Sequence, residues 1–154
     1  MRVYRFVIGP PLIAPISAQA AGETIQPIWN IFSGAPHDAA GAALGFSVDV
    51  RDLASLLTHF VTHPKEVDGE RYLASSSHST AQSVADILRN AFPDAKDRIV
   101  EGVKGQEYRA DYQADKETQV AVDSSKAQKL LEGGEWIGLE KSVVDTAKSF
   151  VGLL

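Results

Sequence analysis

Apolar and polar residues alternate along the chain with two periods, and the switches between them mark out the elements. Val3-Tyr-Arg-Phe-Val-Ile8 is β-branched and aromatic and stops at Gly9-Pro10-Pro11, which predicts a strand closed by a turn. Ile25, Ile28, Trp29 and Phe32 then recur at helical spacing, with Thr24 as a cap, Pro27 in the first turn and Gly34 as the stop. Residues 35–45 are small, polar and turn-forming, a loop. Phe46 to Val50 alternates as a strand, and Asp52 takes the N-cap position ahead of Leu53, Leu56, Leu57, Phe60 and Val61, with Pro64 ending the helix. Asp68-Gly69 turns the chain into a short strand, Arg71 to Ala74. Ser79 and Gln82 have capping-box spacing before Val84, Ala85, Leu88 and Phe92, and Pro93 terminates that helix. A short strand is expected at Arg98 to Val100, a polar irregular stretch at 102–119 and a further short strand at Val120 to Val122. Asp123 caps a brief helix through Leu131, broken by Gly133-Gly134. The last helix runs from Leu139 to Val151 with Val143, Val144, Ala147, Phe150 and Val151 inward. Strands alternating with helices imply an α/β protein.

Composition narrows the function classes. The 154 residues hold 15 Lys+Arg against 20 Asp+Glu, a net charge of −5, with 44% hydrophobic and 23% charged residues, which fits one soluble globular domain. An acidic balance argues against sequence-independent nucleic-acid binding, which needs clustered cations to displace phosphate counterions. The absence of cysteine removes disulfides, thiolate nucleophiles and Cys-type zinc sites. No apolar run reaches the roughly 18 residues of a membrane span. Arg2, Arg5 and Ala18-Gln19-Ala20 imitate a signal peptide, but Gly9, Pro10, Pro11 and Pro15 interrupt the helix such a segment must form, so the expected location is cytoplasmic.

Several pairs imitate known chemistry. Tyr112 and Lys116 have the Tyr-x-x-x-Lys spacing that lets an ammonium lower a phenol's pKa, yet their stretch has no apolar face to dock it. Gly41 and Gly45 lie after a helix and before a strand, the reverse of a dinucleotide fingerprint, and read as a linker. His59 and His63 stand at i and i+4, but Phe60 replaces the glutamate of His-Glu-x-x-His and the sequence offers no third ligand. His78 among Ser75, Ser76, Ser77 and Ser79 lacks a Gly-x-Ser-x-Gly elbow. Trp29 and Phe32, one helical turn apart, are core residues unless their face is left uncovered.

Taken in order, Phe6-Val-Ile-Gly-Pro-Pro11, Phe46-Ser-Val-Asp-Val-Arg-Asp-Leu-Ala54, Gly69-Glu-Arg-Tyr-Leu-Ala74, Phe92-Pro93, Val122-Asp-Ser-Ser-Lys126 with Leu130-Leu131, and Leu139 with Asp145-Thr146 form a series. It resembles the C-terminal, substrate-binding half of extended short-chain dehydrogenases/reductases, in the branch of dihydroflavonol reductases and fungal ketoreductases. The resemblance implies a truncated Rossmann-type α/β fold, with short parallel or mixed strands and about five helices, forming a single substrate-binding-type domain over residues 1–154. It implies that Gly9, Pro10 and Pro11 lie beside the nicotinamide when a nucleotide-binding half is present. By the same resemblance the segment from Ile13 to Phe32, Trp29 included, walls the substrate pocket, with Tyr4 and Arg5 nearby. In that family the glycine-rich loop and the catalytic Ser, Tyr and Lys precede the strand ending in Gly-Pro, and the family's Asn-Pro-Pro is replaced by Val3-Tyr4-Arg5.

Hydride transfer needs a bound dinucleotide and a proton donor, so the chain alone is expected to carry no cofactor and to need a completing half for NAD(P). Three readings remain open. One is the substrate-binding portion of an NAD(P)-dependent reductase of small carbonyl, phenolic or polyketide-like compounds. Another is a cofactor-independent isomerase, cyclase or dehydratase with Tyr4, Arg5, His37, Asp49 or Tyr108 as polar groups. The third is a non-catalytic binding or assembly module. The expected partners are a small-molecule substrate and either a second copy or a separate N-terminal half, covering a sheet edge left open at the first strand; no nucleic acid or membrane is expected.

Overall fold

In the computed structural model, residues 2–3, 6–13, 15, 17, 22–35, 45–101 and 122–154 are described. Within and beside the expected strand Val3–Ile8, the described residues form β1 (Arg2–Val3) and β2 (Phe6–Ile8). Helix α1 (Gln26–Phe32) follows, then β3 (Phe46–Asp49), α2 (Val50–Thr62), α3 (Pro64–Val67), β4 (Leu73–Ala74), β5 (Ser77–His78), α4 (Ala81–Ala91), α5 (Ser125–Gln128) and α6 (Leu139–Lys148). β2 and β3 run parallel, with Ile8 opposite Asp49, while β5 adds antiparallel to β3, and β1 pairs in parallel with β4. The mixed α/β architecture with short strands is as expected.

Alternation along β2 divides the interior. Ile8 lies in a cluster with Ile28, Phe32, Leu88, Val143 and Phe150 from α1, α4 and α6. Its neighbour Val7 packs against a second cluster of Val48, Leu56, Tyr72, Ala74, Ala127 and Leu131. Successive strand residues point to opposite faces, so the sheet is covered on both sides. Ser47, Val48 and Asp49 of β3 are all fully buried, the pattern of an inner strand.

Local boundaries differ from the sequence expectation in ways with physical reasons. Asp49, not Asp52, caps α2, its side chain accepting from the Arg51 N–H, and Asp52 sits in the first turn. Only Leu56 of that helix's apolar set is fully buried; Leu57 and Val61 are exposed. The capping box of α4 is one residue later than the spacing of Ser79 and Gln82 indicates: the Thr80 hydroxyl accepts from the Ser83 N–H and the Ser83 hydroxyl from the Thr80 N–H. The N-cap of α1 is Ile25, without a side-chain bond, rather than Thr24. At its other end the Arg98 guanidinium donates from Nε to the Phe32 carbonyl at 2.8 Å, satisfying a terminal acceptor.

Residues Arg98 to Val100 form no strand: the amide N–H groups of Arg98 and Ile99 both return to the Ala95 carbonyl, and this turn buries Ile99. Strand structure in Arg71 to Ala74 is confined to Leu73–Ala74, and β5 forms in a serine-rich stretch that carries no strand signal of its own. The last helix stops at Lys148, with Val151 exposed in a 3-10 turn. The expected strand at Val120 to Val122 and the polar stretch 102–119 fall, but for Val122, outside the described residues. Among the described residues no helix is long and apolar enough to cross a membrane.

Candidate functional site

The carboxyl ends of β2 and β3 lie side by side, the place where open α/β sheets receive ligands. β2 runs out at Ile8 into Gly9, whose φ of +128° suits glycine. A Cβ on Gly9 would lie 2.9 Å from Val50 Cγ1 and 3.1 Å from Asp49 Oδ1, so the turn is seated directly on the end of β3. Pro10 and Pro11 follow half-buried, then Leu12 stands fully in solvent and Ile13 is 82% exposed.

Beneath this turn lies a polar network. The Gly9 N–H donates to Thr146 Oγ1 at 3.1 Å, and the Thr146 hydroxyl donates to the Ser142 carbonyl at 2.7 Å. The Ser142 hydroxyl donates to Asp49 Oδ2. Asp49 also accepts from the Arg51 backbone N–H and Nε, both at 2.9 Å, and from Nη2 at 2.8 Å. Arg51 Nη1 then reaches Asp145 at 2.9 Å, and Lys141 and Lys148 close on Asp145 from solvent. Ser142, Asp145 and Thr146 occupy one face of α6, at i, i+3 and i+4, while Val143, Ala147 and Phe150 enter the core.

Electrostatics follow from these contacts. Burial pushes the Asp49 carboxyl up, but the bonds from Arg51 and Ser142 outweigh it and hold it below the usual carboxylate range. Lys141, Arg51 and Lys148 hold Asp145 well below that range, and Asp49 foremost keeps Arg51 charged. Asp52 goes the other way: burial raises its carboxyl, the Ile137 N–H at 2.8 Å offsets part of this, and the nearby Asp49 charge adds to it. Asp49 has both oxygens committed to donors, so it serves as an anchor for α2 and α6 rather than as a base.

The structure distributes the sequence candidates unevenly. Gly9, Pro10, Pro11 and Ile13 stand together at the strand end. Trp29 packs edge-on against Phe150 at 5.3 Å, and Phe32 meets Phe92 at 4.9 Å with Arg98 over its ring, so both are core residues with covered faces. Tyr4, Arg5, His37, Gly41, Tyr108, Tyr112 and Lys116 lie outside the described residues. His59 and His63 stack at 4.3 Å beside an open groove of about 420 Å³, and His59 Nε2 is 3.6 Å from Glu66. Among the described residues no group of three side chains is gathered to hold a metal ion. His78 Nδ1 and Ser79 Oγ are each buried without a hydrogen-bond partner, so they form no nucleophile and base pair.

Sequence reasoning passed over Arg51, Ser142, Asp145 and Thr146 as a unit. The available signal was two hydroxyls four residues apart on a helix whose neighbouring positions are apolar.

No protein-family model matches the chain. It is 27% identical over 147 residues to the NADPH-dependent methylglyoxal reductase GRE2 of Saccharomyces cerevisiae, a match covering 95% of this chain and 41% of that protein. The crystal structure of Gre2 from Candida albicans in complex with NADPH is similar with a TM-score of 0.78 and 31% identity, over 96% of this chain and 41% of that one. Yeast methylglyoxal/isovaleraldehyde reductase Gre2 complexed with NADPH gives a TM-score of 0.73 and 26% identity, over 96% of this chain and 44% of that one. The chain thus spans about two-fifths of the length of the relatives it matches. The resemblance to the C-terminal half of extended short-chain dehydrogenases/reductases is borne out by these relatives.

Proposed function

We propose, from this kinship with extended short-chain dehydrogenases/reductases, that the chain supplies the substrate side of an NADPH-dependent reductase of small aldehydes and ketones. The observation that carries the reading is the match of nearly the whole chain to reductase structures that hold NADPH, with the Gly9 turn at the paired carboxyl ends of two parallel strands. The cofactor, when bound, supplies the hydride. What this chain contributes is shape. A glycine followed by two prolines offers backbone carbonyls without competing N–H groups, a flat edge against which a nicotinamide ring fits, while Leu12 and Ile13 give an apolar wall that excludes water from the reacting carbonyl. At the strand ends the described residues supply neither a phosphate-cradling glycine loop nor an uncommitted proton donor: the Ser142 and Thr146 hydroxyls and the Arg51 guanidinium all donate within the network. In this reading both come from a dinucleotide-binding portion of the kind that makes up the rest of the relatives, and that portion covers the open edge of β2. A cysteine-free chain needs no oxidising compartment, and the reading places it in the cytoplasm.

The test is co-expression of the chain with the dinucleotide-binding portion of the Candida albicans relative, followed by NADPH oxidation with methylglyoxal and isovaleraldehyde. The expected result is a soluble complex that consumes NADPH only in the presence of aldehyde. A complex that binds NADPH but turns over neither these aldehydes nor a panel of ketones overturns the reading.

A further inference from the structure

We propose that Thr146 is a positioning residue for the Gly9–Pro11 turn, and that helix α6 thereby sets where a bound ring and a carbonyl substrate meet; the proposal rests on the reductase reading above. Pro10 and Pro11 have no N–H, so Gly9 carries the only backbone donor between the end of β2 and Leu12. That donor is buried, and its acceptor is the Thr146 hydroxyl at 3.1 Å, 137 residues away in the chain. The hydroxyl is oriented in turn: it donates to the Ser142 carbonyl at 2.7 Å, which leaves its lone pairs for Gly9. Ser142 holds Asp49, and Asp49 closes against the other side of Gly9, where no Cβ fits. The turn is therefore gripped on both sides by one network.

The reference is rigid because the adjoining face of α6 and the turn that follows the helix are locked. Val143, Ala147 and Phe150 are fully buried among α1 and α4, so α6 cannot slide without opening the core. Two prolines with fixed φ transmit the setting of Gly9 to Leu12 and Ile13, the exposed apolar residues of the proposed wall. Removing this one hydroxyl should thus displace the surface on which ring and substrate align, and misalignment of this kind costs rate rather than cofactor affinity.

The test uses Thr146→Val, which keeps the shape and removes the acceptor, and Thr146→Ser, which keeps the hydroxyl. In the 154-residue chain, amide hydrogen exchange at Gly9 is expected to accelerate at least tenfold in Thr146→Val and to stay at the parental rate in Thr146→Ser. In the complex with the dinucleotide-binding portion, Thr146→Val is expected to lower kcat about tenfold with KM for NADPH within twofold. Its primary isotope effect with 4-deuterated NADPH is expected to rise, which mere loss of folded enzyme does not produce. Thr146→Ser is expected to restore parental values. Unchanged Gly9 exchange in Thr146→Val overturns the anchoring. Faster exchange with unchanged kcat and isotope effect in an active complex overturns the link to the reaction. A parental complex without turnover defeats the reductase reading itself and takes the catalytic part of the proposal with it, whereas the exchange arm still decides whether Thr146 holds Gly9.

Discussion

Replacing Asp49 with Asn preserves the size of the side chain and its ability to cap α2, but removes the charge facing Arg51. In the parent, one carboxylate oxygen accepts from the Arg51 N–H and Nε, and the other from Nη2 and the Ser142 hydroxyl. An amide has a single acceptor oxygen. With that oxygen on the Arg51 N–H and Nε, the amide nitrogen meets Nη2 donor against donor, while Ser142 turns to accept. A lost bond to a charged group is worth about 1.5–3 kcal/mol. Arg51 is 37% exposed and keeps Asp145, so it recovers part of this in water, and the expected loss is about 2 kcal/mol. For a domain of this size that corresponds to a fall in Tm of about 4–8 °C. Asp49→Ala also loses the cap and strands the Ser142 hydroxyl, for about 4 kcal/mol in total. Urea unfolding followed by tryptophan fluorescence measures both.

The pH dependence has a definite sign. Asp49 is held below the ordinary carboxylate range in the native state, whereas it titrates near 3.9 when unfolded. Its contribution is complete above the unfolded value and is lost as pH falls through the native one. The gap between parent and Asp49→Asn should be constant from pH 6 to 8 and close below about pH 4. An Asn variant within about 0.5 kcal/mol of the parent at pH 7, or a gap that widens in acid, would refute the reasoning.

Other substitutions test separate features. Gly9→Ala forces a side chain into positive φ against Val50 and Asp49 and should cost about 2–4 kcal/mol, read as a drop in Tm; a cost under about 0.5 kcal/mol would mean the turn is not seated as described. Thr80→Ala removes half of the capping box and should cost about 1 kcal/mol, whereas Ser79→Ala, which deletes an unpaired hydroxyl, should be neutral or slightly stabilising; equal losses in urea denaturation would refute this placement of the cap. Asp52→Asn removes a carboxylate that its surroundings disfavour and keeps an acceptor for the Ile137 N–H. Because the native carboxyl is raised, the parent is relatively favoured below the unfolded value and loses that advantage as pH rises through the native one. The variant should therefore be at least as stable as the parent at pH 7 and fall behind on acidification, and the opposite trend in pH-dependent urea midpoints would contradict it.

Fold class and most helices were legible because their apolar residues recur at helical spacing: Ile28, Trp29 and Phe32, then Val84, Ala85 and Leu88, then Val143, Ala147 and Phe150 all reach the same cluster. Caps were less legible, since Asp49 and Asp52, or Ser79 and Thr80, are chemically near-equivalent and the choice depends on where the preceding strand ends. β5 and the turn over Ile99 were hidden because tertiary hydrogen bonds, not local propensity, decide them. Within the candidate site, Gly9, Pro10 and Pro11 announce a turn, but the grip on it is formed by residues from β3, α2 and α6. No local pattern joins Gly9 to Thr146 or Asp49 to Ser142, because burial and long-range pairing create that network.

β2 contributes only three residues, yet consecutive ones serve the two apolar clusters, Val7 one and Ile8 the other. Neither side of the sheet therefore owns a strand that it keeps when the opposite side loosens. Melting on one side withdraws the floor from the other, so the two clusters are expected to lose their packing together in urea unfolding.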